Sequence, residues 1–169
     1  MIDILILENW GPFKGTHRLE LKAGVYAVTA RDTGNPERSN WLGKSTFLLA
    51  PTFALFGLPS NKLINHSFNR EDDWITKGED QGGVTLHWQH LQIERTRMRG
   101  RSTKLTVRTD NRTATGDEAQ AIIDKAIGLS EKDFYQTCFL RQKKLAHFIT
   151  TDPGQRMETI VEWFRLKRL

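Results

Sequence analysis

The chain has 169 residues, of which 38% are hydrophobic and 27% are charged, which is enough for one domain with a core but not for two. A net charge of +5 favours an anionic partner such as a nucleotide or nucleic acid, although an ordinary basic protein fits the same number. The single cysteine, Cys138, excludes an internal disulfide framework and favours a reducing cytoplasm. The N-terminal residues predict no signal peptide. The sequence has no apolar run of the ~20 residues that span a membrane and no metal-ligand spacing among its histidines.

The first third of the sequence predicts strands followed by a helix. Apolar or alternating runs predict strands over 2–7, over 17–21 and, as a buried strand, over 25–29. Turn-forming residues over 31–42 predict a loop. Helical spacing then predicts a helix from Lys44 to Phe56 that Gly57 closes, with Pro51 as a point of kink or irregularity.

The rest of the sequence predicts loops over 58–83, then a hairpin-rich region and helices. Strands are expected over 84–88, 91–97 and 104–108, the last two joined by a turn at 99–101. A helix is predicted over 117–127 with Gly128 at its end, and a strand or short helix over 134–140. Asp152 and Pro153 predict a helix start, and the absence of a stop signal predicts that this helix continues in a longer protein.

The most informative segment spans 39–46, Ser-Asn-Trp-Leu-Gly-Lys-Ser-Thr. A Gly-Lys-Ser-Thr run between an apolar strand and an apolar helix is typical of a phosphate loop, because backbone N–H groups and the helix dipole favour an anion there. In such a loop Lys44 reaches the β- and γ-phosphates, the Ser45 hydroxyl binds Mg²⁺, and Gly43 allows close backbone approach. Arg38 stands where the full motif has glycine, so a capped helix start with a solvated lysine is the alternative.

The segments around this loop resemble the ATPase heads of SMC, SbcC and RecF-type proteins. Asn40 matches the asparagine of that family's Asn-Gly-Ser-Gly-Lys-Ser loop, whereas Trp41 and Leu42 replace its glycine and serine. The similar segments are the opening strand and turn at 4–13, the strand at 24–29 and the helix at 43–57.

Two segments further along resemble the same heads. The run from Phe134 to Gln142 is similar to the family's Q-loop, a strand ending in glutamine, and 148–156 is similar to the segment before the outgoing coiled-coil helix. In the family the Q-loop glutamine contacts Mg²⁺ and the attacking water, and the resemblance gives that role to Gln142. An ordinary surface amide is the alternative.

The resemblance implies an α/β fold, namely the N-terminal lobe of an ABC-type P-loop head with a mixed sheet around the phosphate-loop helix, ending at the root of a coiled coil. It implies ATP and Mg²⁺ as cofactors, Lys44 and Gln142 as catalytic residues, and Ser45 and Gln142 as metal contacts. Trp10 or Phe13 is expected beside the adenine. The implied nucleotide contacts are Ser39, Asn40, Trp41, Leu42, Gly43, Lys44, Ser45, Thr46, Asn9 and Trp10.

The family's signature motif and Walker B carboxylates lie in a C-terminal half, and no apolar run followed by Asp-Glu occurs in this sequence. The resemblance therefore implies hydrolysis only after completion by that half and pairing with a second head through ATP. An SbcC-type protein would act on DNA in the cytoplasm, in repair or recombination, with an SbcD-like nuclease and no membrane. The alternatives are a RecF-type, phage-defence or condensin-like head, and a DNA-binding module with a degenerate nucleotide pocket; a P-loop kinase is disfavoured because no lid arginines can be named.

A basic cluster begins within the strand predicted over 91–97 and continues into the turn after it. Arg95, Arg97 and Arg99 alternate along the strand and project to one side of it. Such a row predicts contact with DNA phosphates without reading of base sequence, and a solvated basic face is the alternative.

Overall fold

The computed structural model describes residues 2–32, 34, 43–58, 72–139, 152–154, 157 and 161. The chain divides into two units, Met1–Ala126 and Ile127–Leu169. No helix in these described ranges is both long and apolar enough to cross a membrane.

The first unit contains one six-stranded antiparallel sheet with the strand order β2-β1-β3-β4-β5-β6. Its strands are β1 (Ile2–Trp10), β2 (Phe13–Glu20), β3 (Gln81–Trp88), β4 (Leu91–Met98), β5 (Lys104–Arg108) and β6 (Thr113–Thr115). Among the described residues this unit has the helices α1 (Lys44–Phe56) and α2 (Gly116–Ile127), whereas α3 (Glu131–Thr137) belongs to the second unit.

Alternation along the strands gives the sheet one buried face. The register places Leu86 of β3 beside both Leu5 of β1 and Ile93 of β4, and Ile93 beside Val107 of β5. All four side chains are buried, whereas the positions between them in the central strands are polar or only partly buried. An antiparallel sheet with one packed face gives this pattern. α1 packs against β1, β3 and β4, so the core lies between that helix and the sheet.

α1 follows its predicted bounds. Gly43 precedes it in a left-handed conformation, and Gly57 ends it by donating its backbone N–H to the carbonyl of Phe53 at 2.8 Å. The helix continues through Pro51, which cannot donate a backbone hydrogen bond to the preceding turn. Leu49, Ala50, Thr52, Phe53, Ala54 and Leu55 are its buried residues.

Two predictions about the sheet were wrong. Residues 25–30 form no strand, and the Val25 side chain is fully exposed, at 103%. Both edges of β1 are occupied by β2 and β3, so no place beside β1 is left for a third early strand. The described sheet is antiparallel throughout and not mixed, because its strands are joined by hairpins and by one long return from β2 to β3.

The hairpin of β4 and β5, the helix at 116–127 and the other predicted strands are confirmed, with shifted ends. β3 begins at Gln81, inside a stretch predicted to be loop. Its glycines allow close strand approach, because a Cβ at Gly82 would lie 2.7 Å from the carbonyl oxygen of Asn9 and one at Gly83 would lie 2.7 Å from the Thr96 methyl. β6 was not predicted, since three residues give too little pattern.

The second unit is helical where it is described. Phe134 to Thr137 belong to α3, with Ser130 accepting from the Asp133 N–H at its start. The short-helix alternative for this segment is therefore correct, and the Q-loop strand is wrong for residues 134–137. The predicted helix start is confirmed, because Asp152 accepts a hydrogen bond from the Gly154 N–H at 3.0 Å and Pro153 is helical.

Candidate functional site

The N-terminus of α1 combines features that favour an anion. Gly43 has φ 85° and ψ 5°, after which Lys44, Ser45 and Thr46 form the first turn. That turn contains no acidic side chain and no side-chain cap. The first N–H groups of a helix point outward from its N-terminal end, and the helix dipole adds partial positive charge at the same place. Ser45 is exposed and Lys44 is half-buried, so both side chains can meet a ligand at this end.

The turn between β1 and β2, residues 10–13, packs directly against this helix start. The indole Nε1–H of Trp10 donates to the carbonyl oxygen of Thr46 at 2.7 Å. A Cβ at Gly11 would lie 2.5 Å from the Thr46 methyl, and one at Gly43 would lie 2.5 Å from Cγ of Pro12. Real side chains do not approach this closely, so both glycines are required for the contact. The first turn of α1 therefore has a fixed support.

Trp10 itself is not available to the adenine. Its side chain is 1% exposed, and its ring lies 4.9 Å from those of both Phe53 and Trp74. The prediction that Trp10 contacts nucleotide is therefore wrong, since the indole is buried in the core, where it contacts α1. Phe13 is half-buried and meets the rings of His17 and Phe47 edge-on.

Asn9, which precedes the turn at residues 10–13, has a structural role. It adopts φ 45°, its side-chain oxygen accepts from the Gly15 N–H at 2.8 Å, and its amide nitrogen donates to the Gln81 carbonyl at 3.1 Å. Asparagine tolerates this left-handed conformation better than most residues do. A contact between Asn9 and nucleotide stays a prediction.

The structure brings together only part of the predicted site. Gly43, Lys44, Ser45 and Thr46 lie in one turn. The remaining predicted residues, Ser39, Asn40, Trp41, Leu42 and Gln142, lie outside the described residues, and their nucleotide or metal contacts stay predictions.

Arg95 does not form part of an exposed basic row. Its side chain is 8% exposed. It donates to the carbonyls of Ala54 and Leu55 at 3.1 and 3.2 Å, and to the side-chain oxygen of Gln120 at 2.7 Å. Burial lowers the pKa of Arg95 to about 10, against the opposing charge of Asp124. The side chain is still charged at neutral pH, so it places a cation at the C-terminus of α1, where the helix dipole favours it.

Arg97 and Arg99 hold a neighbouring segment, residues 72–80. Arg97 is 8% exposed and pairs through Nε with the Asp72 carboxylate at 2.6 Å. Arg99 lies at the exposed end of the row, yet its guanidinium donates to backbone carbonyls of this segment. The alternation predicted from the sequence is correct, but the shared side faces the protein. The prediction that Arg95 and Arg97 contact DNA is therefore wrong, and so is a solvated face for these two residues. Contact between the exposed Arg99 and DNA stays a prediction.

Sequence reasoning missed the residues that complete this support of the first turn of α1. Thr76 donates its hydroxyl to the Gly11 carbonyl at 2.8 Å across 65 residues of sequence, and no local pattern reports such a contact. The Gly-Pro pair at 11–12 is a recognisable turn signal, but it does not reveal that the turn meets the phosphate-loop helix.

Comparison with known proteins gives the family of the chain. A family model described as an AAA domain matches residues 5–167. Over 150 residues the chain is 26% identical to the protein named DNA double-strand break repair Rad50 ATPase from Methanocaldococcus jannaschii, covering 86% of this chain and 13% of that relative. The predicted resemblance to SMC/SbcC-type heads is thereby confirmed. The chain belongs to the AAA domain family of P-loop NTPases, and its similarity to a Rad50 ATPase agrees with the resemblance to SMC/SbcC-type heads.

Proposed function

We propose that this chain binds Mg-ATP at the N-terminus of α1 and serves as the ATP-binding part of a DNA-processing ATPase of the SbcC type. The observation that carries the proposal is the left-handed Gly43 followed at once by Lys44, Ser45 and Thr46, on a helix start that has no acidic side chain. Negative charge is favoured at such a position by the helix dipole, by the backbone N–H groups of the first turn and by the lysine.

The residues at this position fit both cofactors. Lys44 would neutralise charge on the β- and γ-phosphates, and the exposed Ser45 hydroxyl would hold Mg²⁺. When bound, Mg²⁺ neutralises charge that develops on the phosphate oxygens. The turn at residues 10–13 fixes the backbone that presents both side chains.

Hydrolysis would require groups in addition to Lys44, Ser45 and Gln142. A carboxylate that orients the attacking water and a second set of phosphate contacts would come from a C-terminal half and from a second head. Gln142 would act on Mg²⁺ and water more than on the phosphates. Action on DNA with an SbcD-like nuclease is part of the same proposal. It is supported by the Rad50 relative, whose own name places it in double-strand break repair.

The test is the substitution Lys44→Ala. Loss of charge-assisted hydrogen bonds to phosphate should weaken Mg-ATP binding about tenfold or more, as measured by titration with a fluorescent ATP analogue. Lys104→Ala is the matched control, because Lys104 is an exposed lysine at the start of β5. If Lys44→Ala binds Mg-ATP as well as the Lys104→Ala control does, the proposed site is wrong.

A further inference from the structure

The guanidinium of Arg99 donates hydrogen bonds to four backbone carbonyls of one short segment. Nε donates to Glu79 at 2.7 Å, Nη1 to Asp72 at 3.3 Å, and Nη2 to both Ile75 and Thr76 at 3.1 Å. All four acceptors lie within the 72–80 segment. An arginine presents five N–H donors in a fixed plane, so this one side chain determines the backbone path of the segment.

A second contact ties the same segment to the β4–β5 hairpin. The Asp72 carboxylate accepts from Arg97 Nε at 2.6 Å and from the Gly100 N–H at 3.1 Å. These bonds hold the pKa of Asp72 below its usual value, with the Arg97 hydrogen bond as the largest cause. The segment is therefore attached to the hairpin at Asp72 and along the carbonyls that Arg99 binds.

The 72–80 segment in turn holds the turn at residues 10–13. The Thr76 hydroxyl donates to the Gly11 carbonyl at 2.8 Å, and the Thr76 N–H donates to the Asn9 carbonyl at 2.8 Å. The Gly11 N–H donates to the Trp74 carbonyl at 2.6 Å. Thr76 is 8% exposed and Trp74 is fully buried, so water does not compete strongly for these bonds.

That turn is the support of the phosphate-loop helix, through the Trp10 bond to Thr46 and the close contacts at Gly11 and Gly43. A continuous series of short contacts therefore runs from the exposed hairpin end to the first turn of α1. In each step a hydrogen bond or close contact reaches the backbone of the next segment, so displacement of one segment would move the next.

We propose that Arg99 and Thr76 are positioning residues for nucleotide binding: Arg99 holds the 72–80 segment in place, and Thr76 transmits that position to the turn at Gly11, which sets the backbone of Gly43 and Thr46. Neither side chain touches the ligand. The inference rests on the proposed nucleotide site. It assigns a function to an arginine whose predicted role was DNA contact.

The experiment compares two pairs of variants in Mg-ATP titrations, with thermal unfolding measured for each. Arg99→Met removes every carbonyl bond, whereas Arg101→Met makes the same change of charge at an exposed residue of the same hairpin. Thr76→Val removes the hydroxyl at nearly constant size, and Thr76→Ser keeps it. All titrations are run well below the melting temperature of each variant, so that every sample is folded.

Arg99→Met and Thr76→Val should each weaken Mg-ATP affinity about tenfold. A change of this size is within the range by which mutations in a contact network alter binding at a distant site. Arg101→Met and Thr76→Ser should bind as the unmodified chain does. A purely structural role would lower the melting temperature and leave the affinity of the folded protein unchanged, which would overturn the inference.

The two proposals fail in different ways. If Lys44→Ala loses affinity while Arg99→Met and Thr76→Val do not, the nucleotide site stands and the positioning role is wrong. If Lys44→Ala also binds normally, the site itself is wrong and the positioning role falls with it. Should Arg99→Met fail to fold, the comparison of Thr76→Val with Thr76→Ser decides the matter.

Discussion

Gly43 meets two separate requirements at one position. Its φ of 85° lies in the left-handed region, where a side chain costs roughly 1–2 kcal/mol. A Cβ there would also lie 2.5 Å from Pro12 and 3.4 Å from Phe13. Gly43 is therefore required for contact with protein, apart from the approach of phosphate that we propose for it.

Gly43→Ala should destabilise the fold more than Gly100→Ala does. Gly100 also has a positive φ, 67°, but nothing lies within 4 Å of its Cβ position, so alanine there meets only the backbone cost. The close contact at Gly43 should add about 1–3 kcal/mol. Free energies of unfolding in urea measure the difference, and equal values for the two variants would contradict the role of the Pro12 contact.

At the scale of the element, α1 is supported at both of its ends by residues distant in sequence. Residues 10–13 contact its N-terminus. At its C-terminus Arg95 binds the carbonyls of Ala54 and Leu55, and Gln120 of α2 donates to Leu55 as well. Helix ends leave carbonyls unpaired, and here a buried cation from the sheet satisfies them. The helix is thereby fixed along its axis.

Arg95→Met should lower the free energy of unfolding by about 2–4 kcal/mol, because buried carbonyls lose their donors while the side-chain volume is nearly kept. Arg108→Met is the control. Arg108 forms an ion pair with Glu94 in which the two side chains are 47% and 33% exposed, respectively. Such exposed pairs contribute about 0–1 kcal/mol to stability. Urea denaturation of both variants measures the contrast, and a similar loss in the two would show that Arg95 has no special part in capping α1.

At the scale of the whole molecule, acid should loosen the attachment of the 72–80 segment. Hydrogen bonds from Arg97 and Gly100 lower the pKa of Asp72, so the folded state favours the ionised carboxylate. A lowered folded pKa gives stability that is present above the unfolded value, about 3.9, and is lost as the pH falls through the folded value.

The Asp72→Asn variant should therefore be less stable than the unmodified chain at pH 7, and the difference should shrink as the pH falls below about 4. Urea unfolding at a series of pH values between 7 and 2 measures both chains. A difference that stays constant over this range would contradict the role of the Asp72 charge.

The sequence predicted the features that depend on local pattern. The helix from Lys44 to Phe56 and most hairpin strands follow from periodicity and turn chemistry. The sequence also predicted that alternate arginines share one side of β4. It could not predict which side, because that depends on the packing of α1 and of the 72–80 segment against the sheet.

The strand expected over 25–29 failed for a related reason. Its apolar, β-branched residues satisfy every local criterion for a buried strand, yet a strand also needs an edge with which to pair. The neighbours of β1 are decided by long-range pairing with β2 and β3. The contacts of Thr76 and Trp10 are equally distant in sequence, and no single segment carries them.

The cluster of Trp10, Phe53 and Trp74 gives the protein an optical signal of its own. The three rings lie between 4.4 and 4.9 Å apart in tilted pairs, and all three are almost completely buried. Aromatic side chains fixed in such an asymmetric setting produce near-ultraviolet circular dichroism, which disappears when specific packing is lost. Since Trp10 is one hydrogen bond away from Thr46, the spectrum of the unlabelled chain reports the state of the helix end that ATP would occupy.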